Sequence, residues 1–232
     1  MSDEKEDSYQ DIVTEQKIHF DRLYEKNTGT PNAVASETYK HKNLRYQKIA
    51  DIFPNSGNFS IYEVGYGLGH FYEYIKKSFD LDRITYSGSE LVEKYYNHCT
   101  EIFNPTGEFE LRNILENPLS EKYDYVIMSG VFHQIGDTAK EPWEEYMYAL
   151  LKRSYESSTR GIAFNFLSHP VDYEIEGNYY AHTSDVMDFA NKHLSRFFEL
   201  KRDYPLFEVT MIVYRTEYIV GKYPDGEFQK YI

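Results

Sequence analysis

The chain has 232 residues, enough for one large domain with a buried core, and carries a net charge of −13 at pH 7. That charge repels nucleic acid and anionic membrane surfaces, so neither is expected as a partner. No apolar run approaches the roughly 18 residues of a membrane span. The acidic start, Met1 to Asp7, lacks a secretory leader's basic and apolar regions. Cys99 is the single cysteine and no Cys/His cluster has ligand spacing, so a soluble, cytoplasmic, metal-free protein is expected.

From the amino end, Ile12, Val13, Phe20, Leu23 and Tyr24 form an imperfect helical stripe over residues 9–26. Asn27 to Asn32 breaks it, and Ser36 is a candidate cap for a second helix running to about Phe53. Lys40, Lys42, Arg45 and Lys48, the densest basic group, lie on that helix. A short apolar strand then ends in Glu63, and Gly65, Gly67 and Gly69 lead into an apolar-periodic helix, Phe71 to Phe79. Glycines at such a turn let the backbone take positive φ and approach a ligand closely.

A second strand, Arg83 to Ser89, delivers Glu90 and Leu91 about 20 residues past the glycine turn, the separation at which an acid meets a ribose. A third strand runs from Glu108 to Asn113 and Ile114. A fourth starts at Asp124 and opens through Ser129 toward His133. The fifth, Gly161 to Leu167, precedes a polar, aromatic loop over residues 168–184 that holds His169, Asp172 and His182. Long loops at the carboxyl edge of an α/β sheet often act as lids, so this one is a candidate substrate element as well as a plain surface loop. Thr183 or Ser184 would cap the next helix, which carries Val186, Met187, Phe189 and Ala190. Ser195 to Tyr204 and Glu208 to Thr216, with only Pro205, Leu206 and Phe207 between them, form a hairpin, and a tail follows from Glu217.

An acid two positions before Gly-x-Gly-x-Gly, an acid ending the next strand, Asn113 after the third and Asp124 opening the fourth resemble the motifs of the class I S-adenosylmethionine (SAM) methyltransferases. The resemblance covers about residues 36 to 216. It implies an α/β fold: a Rossmann-like, seven-stranded, mostly parallel sheet with a C-terminal antiparallel hairpin, helices on both faces and an N-terminal helical extension. It also implies one methyltransferase domain, with residues 1–55 as a helical cap, 56–216 as core and 217–232 as tail. The implied cofactor is SAM, held by Arg45, Glu63, Gly65, Tyr66, Gly67, Gly69, Glu90, Leu91, Asn113, Ile114 and Ser129. Arg45 would pair with the methionine carboxylate, a task that suits a guanidinium fork; a solvated helix face is the alternative. Tyr66 stands where the family has a small residue or cysteine; it either covers the methionine portion or reflects the chain's frequent use of tyrosine, 24 in all, and a crowded turn is the one departure that would weaken cofactor binding.

Methyl transfer needs alignment of donor and acceptor and, for a hydroxyl, removal of a proton. His133 is the first candidate base, with His169 and Asp172 next; a histidine that only shapes the pocket is the alternative for His133. The expected function is O-methylation of a small polar acceptor. The subgroup resembled points to a sugar, nucleotide sugar or glycan unit in a glycan or natural-product pathway. A non-catalytic module that binds SAM or its product S-adenosylhomocysteine (SAH) is the competing class. An oxidoreductase is disfavoured because the G-x-G-x-x-G spacing is missing. Homo-oligomerisation is left open.

Overall fold

The computed structural model describes residues 3–27, 33, 38–103 and 107–231. Among them, eight strands form one sheet: β1 (Phe59–Val64), β2 (Ile84–Glu90), β3 (Glu108–Leu111), β4 (Tyr123–Met128), β5 (Ser158–Ser168), β6 (Tyr180–Ala181), β7 (Phe198–Lys201) and β8 (Glu208–Tyr214). Their order is β3-β2-β1-β4-β5-β8-β7, with β6 beside the end of β5. Strands β1 to β5 pair in parallel, whereas β8 runs antiparallel to both β5 and β7. The expected mostly parallel sheet and terminal hairpin are therefore present, with shorter hairpin arms than the sequence suggested. The strand beyond the expected seven is β6, two residues of the 168–184 loop laid against Leu167 and Ser168.

Side chains alternate across a strand, and the central strands read as continuous apolar runs because both faces are covered. Tyr62, Val126, Met128, Phe164 and Met211 face a core shared with α1 (Asp3–Asn27), α5 (Lys140–Glu156) and α6 (Thr183–His193). Ile61, Tyr125, Ile127, Ala163 and Ile212 face the opposite core, with α2 (Tyr39–Ala50), α3 (His70–Ser78) and α4 (Glu93–Phe103). The tail carries α7 (Thr216–Lys222).

Ser36 lies outside the described residues; the N-cap of α2 is Thr38, whose hydroxyl accepts the His41 N–H at 3.2 Å. Thr183 is the first residue of α6, not its cap, because its hydroxyl is engaged with Ser168 Oγ at 2.6 Å. Helix α1 is anchored across the carboxyl edge of the sheet. Gln16 donates to the Gln134 carbonyl at 3.0 Å, Tyr95 donates to the Phe20 carbonyl at 3.0 Å, and Lys94 pairs with Asp21 and Glu25.

The third glycine of the turn serves packing. Gly69 is the N-cap of α3 at φ 71°, and a Cβ there would stand 2.5 Å from the Phe103 ring of α4. Gly69→Ala is expected to cost about 1–3 kcal/mol through strain and overpacking. Thermal unfolding should show the loss, while SAH affinity of the folded protein stays within about twofold of wild type. A large affinity loss would return Gly69 to the ligand site.

Candidate active site

Strand β1 pairs with β2 on one side and β4 on the other, so the chain reverses direction of travel through the sheet at its carboxyl end. Ligands of open α/β sheets bind at such a switch point. A cleft lies there, lined by the glycine turn (Gly65, Tyr66, Gly67), the ends of β2 and β3, the β4–α5 segment, and side chains from α1, α2 and α5.

Glu90 organises the turn. One of its carboxylate oxygens accepts the Gly67 N–H at 2.9 Å; the other accepts those of Leu91 and Val92 at 2.7 and 3.1 Å. Gly65 and Tyr66 also donate to the Ser89 carbonyl. Burial raises the Glu90 carboxyl, and the three backbone donors oppose that shift. Glu63, at the end of β1, accepts a hydrogen bond from Tyr86; burial pushes its carboxyl up to about 8 against that bond. Tyr66 does not crowd the turn. Its ring stands edge-on to Phe109 with centroids 5.0 Å apart, over Gly88, whose missing side chain leaves it room. Asn113 folds onto its own loop, accepting the Leu115 N–H at 3.1 Å and donating to Glu116 at 2.8 Å.

On the other flank the sheet assembles a buried polar chain from four distant positions. Arg45 donates to Glu208 through Nε, at 3.1 and 2.9 Å, and through Nη2. Glu208 also accepts from Asn165 Nδ2 at 2.7 Å, and that same amide nitrogen stands 3.0 Å from His133 Nε2. Asn165 Oδ1 takes the Gly130 N–H at 2.8 Å. Burial raises and Arg45 and His133 lower the Glu208 carboxyl, for a net depression. Burial brings His133 down to about 4, with Glu208 opposing and Arg45 assisting, so the ring is neutral at pH 7.

A second cation enters from α2. Lys42 is 1% exposed and its Nζ donates to His70 Nδ1 at 2.7 Å. Burial first, then Arg45, lower its ammonium to about 7.

All the cofactor residues expected from the sequence line this cleft except Gly69, and so does His133. His169 and Asp172 do not. Arg202 holds the carbonyls of Ser168, His169 and Pro170, and the loop lies against the β4–α5 segment, with Tyr179 N–H on the His133 carbonyl at 2.8 Å. Sequence reasoning passed over Lys42, Trp143, Asn165 and Glu208. Of these only Lys42 carried a local signal, its i, i+4, i+7 spacing with the buried Tyr46 and Ile49.

The cleft wants a polar ligand. Ser129 and Trp143 are among its lining residues, and Ser129 Oγ and Trp143 Nε1 are shielded from solvent with no hydrogen-bond partner among the described residues. Buried groups of this kind are ordinarily paired. The residues thus fit a cofactor with ribose hydroxyls, a polar base and an amino-acid end. No group of His, Cys, Asp and Glu among the described residues could hold a metal ion.

No family model matches the chain. Over 158 residues it is 26% identical to the Mycobacterium tuberculosis protein named "Putative methyltransferase Rv1506c", covering 67% of this chain and 92% of that one. Magnesium protoporphyrin IX methyltransferase from Synechocystis PCC 6803, solved with bound SAH, superposes with a TM-score of 0.55 at 13% identity, over 85% of this chain and 93% of its own. The [4+2]-cyclase SpnF shares the fold with a TM-score of 0.53 at 10% identity, over 74% of this chain and 63% of its own. In motif spacing, strand order and its curated relative, the chain is similar to the class I SAM-dependent methyltransferases.

Proposed function

We propose that this protein transfers the methyl group of SAM to an oxygen of a small polar acceptor. The observation that carries the reading is the glycine turn at the switch point, tied through Gly67 to a buried Glu90, in a cleft whose lining residues Ser129 and Trp143 carry buried polar atoms unpartnered among the described residues. SAM supplies an activated methyl on a sulfonium; the chain's residues bind, orient and exclude water.

In this reading Glu90 takes the ribose hydroxyls, Leu91 and Ile114 wall the base, and Ser129 supplies one more polar contact. The methionine carboxylate goes to Lys42. Arg45 sits one turn further along α2 and has Nε and Nη2 committed to Glu208, whereas Lys42 meets no carboxylate, only a neutral histidine and the face of the Tyr39 ring among the described residues. Burial, then Lys42 itself, hold that His70 at about 3.

A sugar, nucleotide-sugar or glycan hydroxyl is the acceptor the family subgroup suggests. Such a hydroxyl requires a base, and His133 directs its Nε2 toward Asn165 rather than the cleft. A non-catalytic SAH-binding module is the second reading, favoured by the same lack of a free base.

Calorimetric titration with SAH tests the proposal: one site per chain in the micromolar range is expected, and no binding by folded protein overturns it. Glu90→Ala should weaken SAH by about 1.5–3 kcal/mol, the range for hydrogen bonds to a charged group, or roughly ten- to a hundredfold. Unchanged affinity would leave Glu90 as a brace of the turn alone.

A further inference from the structure

Two donors with no hydrogen-bond partner among the described residues stand beside Gly130, where a side chain would begin. Arg45 Nη1 is the guanidinium nitrogen that Glu208 does not take, and it would lie 3.3 Å from a Cβ built on Gly130. His133 Nδ1 lies 4.0 Å from the same point, and apart from the neighbouring Ser129 and Val131 no other described residue comes within 4 Å. Gly130, at φ 76°, therefore leaves a small nook in the cleft wall with donors on two sides.

The proton on Nδ1 follows from the bonds around Asn165. Its oxygen must accept from the Gly130 N–H, and its nitrogen must donate to the Glu208 carboxylate; reversing the amide would set like against like at both ends. The same nitrogen then faces His133 Nε2, which acts as acceptor and leaves the ring hydrogen on Nδ1. The two cleft acids, Glu63 and Glu90, are occupied by Tyr86 and by three backbone N–H groups on the glycine-turn side.

We infer that this nook is an oxyanion seat for the methyl acceptor, formed by Arg45 Nη1 and His133 Nδ1–H, and that the acceptor enters as a carboxylate or an already ionised acidic hydroxyl. The inference rests on the methyl-transfer reading above. His133 is then a hydrogen-bond donor to the substrate, and Asn165 and Glu208 are positioning residues that fix its tautomer. The charges balance without a base. The acceptor oxygen gives a lone pair to the methyl carbon, the carbon–sulfur bond breaks with its pair going to sulfur, and anion and sulfonium both become neutral. A neutral aliphatic alcohol would leave a proton that nothing beside Gly130 can take.

Nitrogen-15 NMR of histidine-labelled, SAH-loaded protein tests this without knowledge of the acceptor, with His133→Phe assigning the signals. A neutral ring protonated on Nδ1 is expected from pH 5.5 to 8. Protonation on Nε2, or titration within that range, overturns the inference. Sodium formate should then shift the Nδ1 signal saturably, whereas methanol and sodium chloride should not; equal response to formate and chloride also overturns it. Arg45→Lys should weaken formate by about tenfold or more and leave SAH within about twofold. If it instead weakens SAH but not methylthioadenosine, which lacks the methionine carboxylate, the seat belongs to the cofactor and the acceptor assignment falls. Failure of wild-type protein to bind SAH at all would strike the methyl-transfer reading, while the ring tautomer stays measurable on the free protein.

Discussion

Glu208→Gln is expected to lower stability by about 3–5 kcal/mol, the cost of removing one partner from a buried ion pair and leaving the other charge uncompensated. Glu208 is 4% exposed and accepts from both Arg45 and Asn165, so its loss strands a guanidinium inside the fold. For a chain of this size each kcal/mol moves the melting temperature by roughly 2–4 °C, so a fall of about 6–20 °C should appear in thermal unfolding. The double change Arg45→Met with Glu208→Leu should recover most of it, because two matched apolar side chains no longer bury a charge. The sign with pH is also fixed. A carboxyl depressed in the folded state adds stability that is complete above its unfolded value and is lost as pH falls through the folded one. Wild type should therefore lose its advantage over Glu208→Gln in acid. A variant as stable as wild type at pH 7 would mean the pair adds nothing net.

The division between what the sequence disclosed and what it concealed follows the range of the interactions. Gly65, Gly67 and Glu90 were legible because the turn and the next strand end are separated by one helix, and the spacing is fixed by local geometry. The mostly parallel sheet was legible because each central strand is apolar on both faces, as strands covered on both sides are. The chain from Arg45 through Glu208 and Asn165 to His133 was not, since α2, β8, β5 and the β4–α5 segment meet only after the sheet closes. Lys42 was hidden differently. It sits in a basic cluster that reads as one solvated face, yet Lys40 is exposed, Lys48 pairs with Asp203, and Lys42 turns inward toward His70. His169 and Asp172 were named for their place at the carboxyl edge. That edge is long, and Arg202 secures their loop away from the cleft.

SAH affinity should be nearly constant below pH 7 and should fall above it by about tenfold per pH unit. The reason is the state of Lys42, whose ammonium titrates at about 7 in the free protein because burial and then Arg45 oppose its charge, against a smaller favourable effect of Glu73. A bound methionine carboxylate favours the charged amine, so the complex holds its proton to higher pH than the free protein does. Below 7 the proton is already present and binding takes up none. Above 7 it must come from solvent, at about 1.4 kcal/mol for each unit until the amine of the complex itself titrates. His70 stays neutral throughout, so it accepts from Lys42 and does not titrate in this window. Lys42→Met should remove the pH dependence and weaken SAH by roughly ten- to a hundredfold at pH 6.5. Methylthioadenosine, lacking the amino-acid end, should bind both proteins alike and without the pH dependence. If the lysine variant keeps full SAH affinity, or methylthioadenosine loses as much as SAH, the carboxylate is held elsewhere. Arg45 would then be the next candidate, and it could serve only by giving up contacts to Glu208, which the thermal unfolding of the SAH complex would register as a smaller gain in stability.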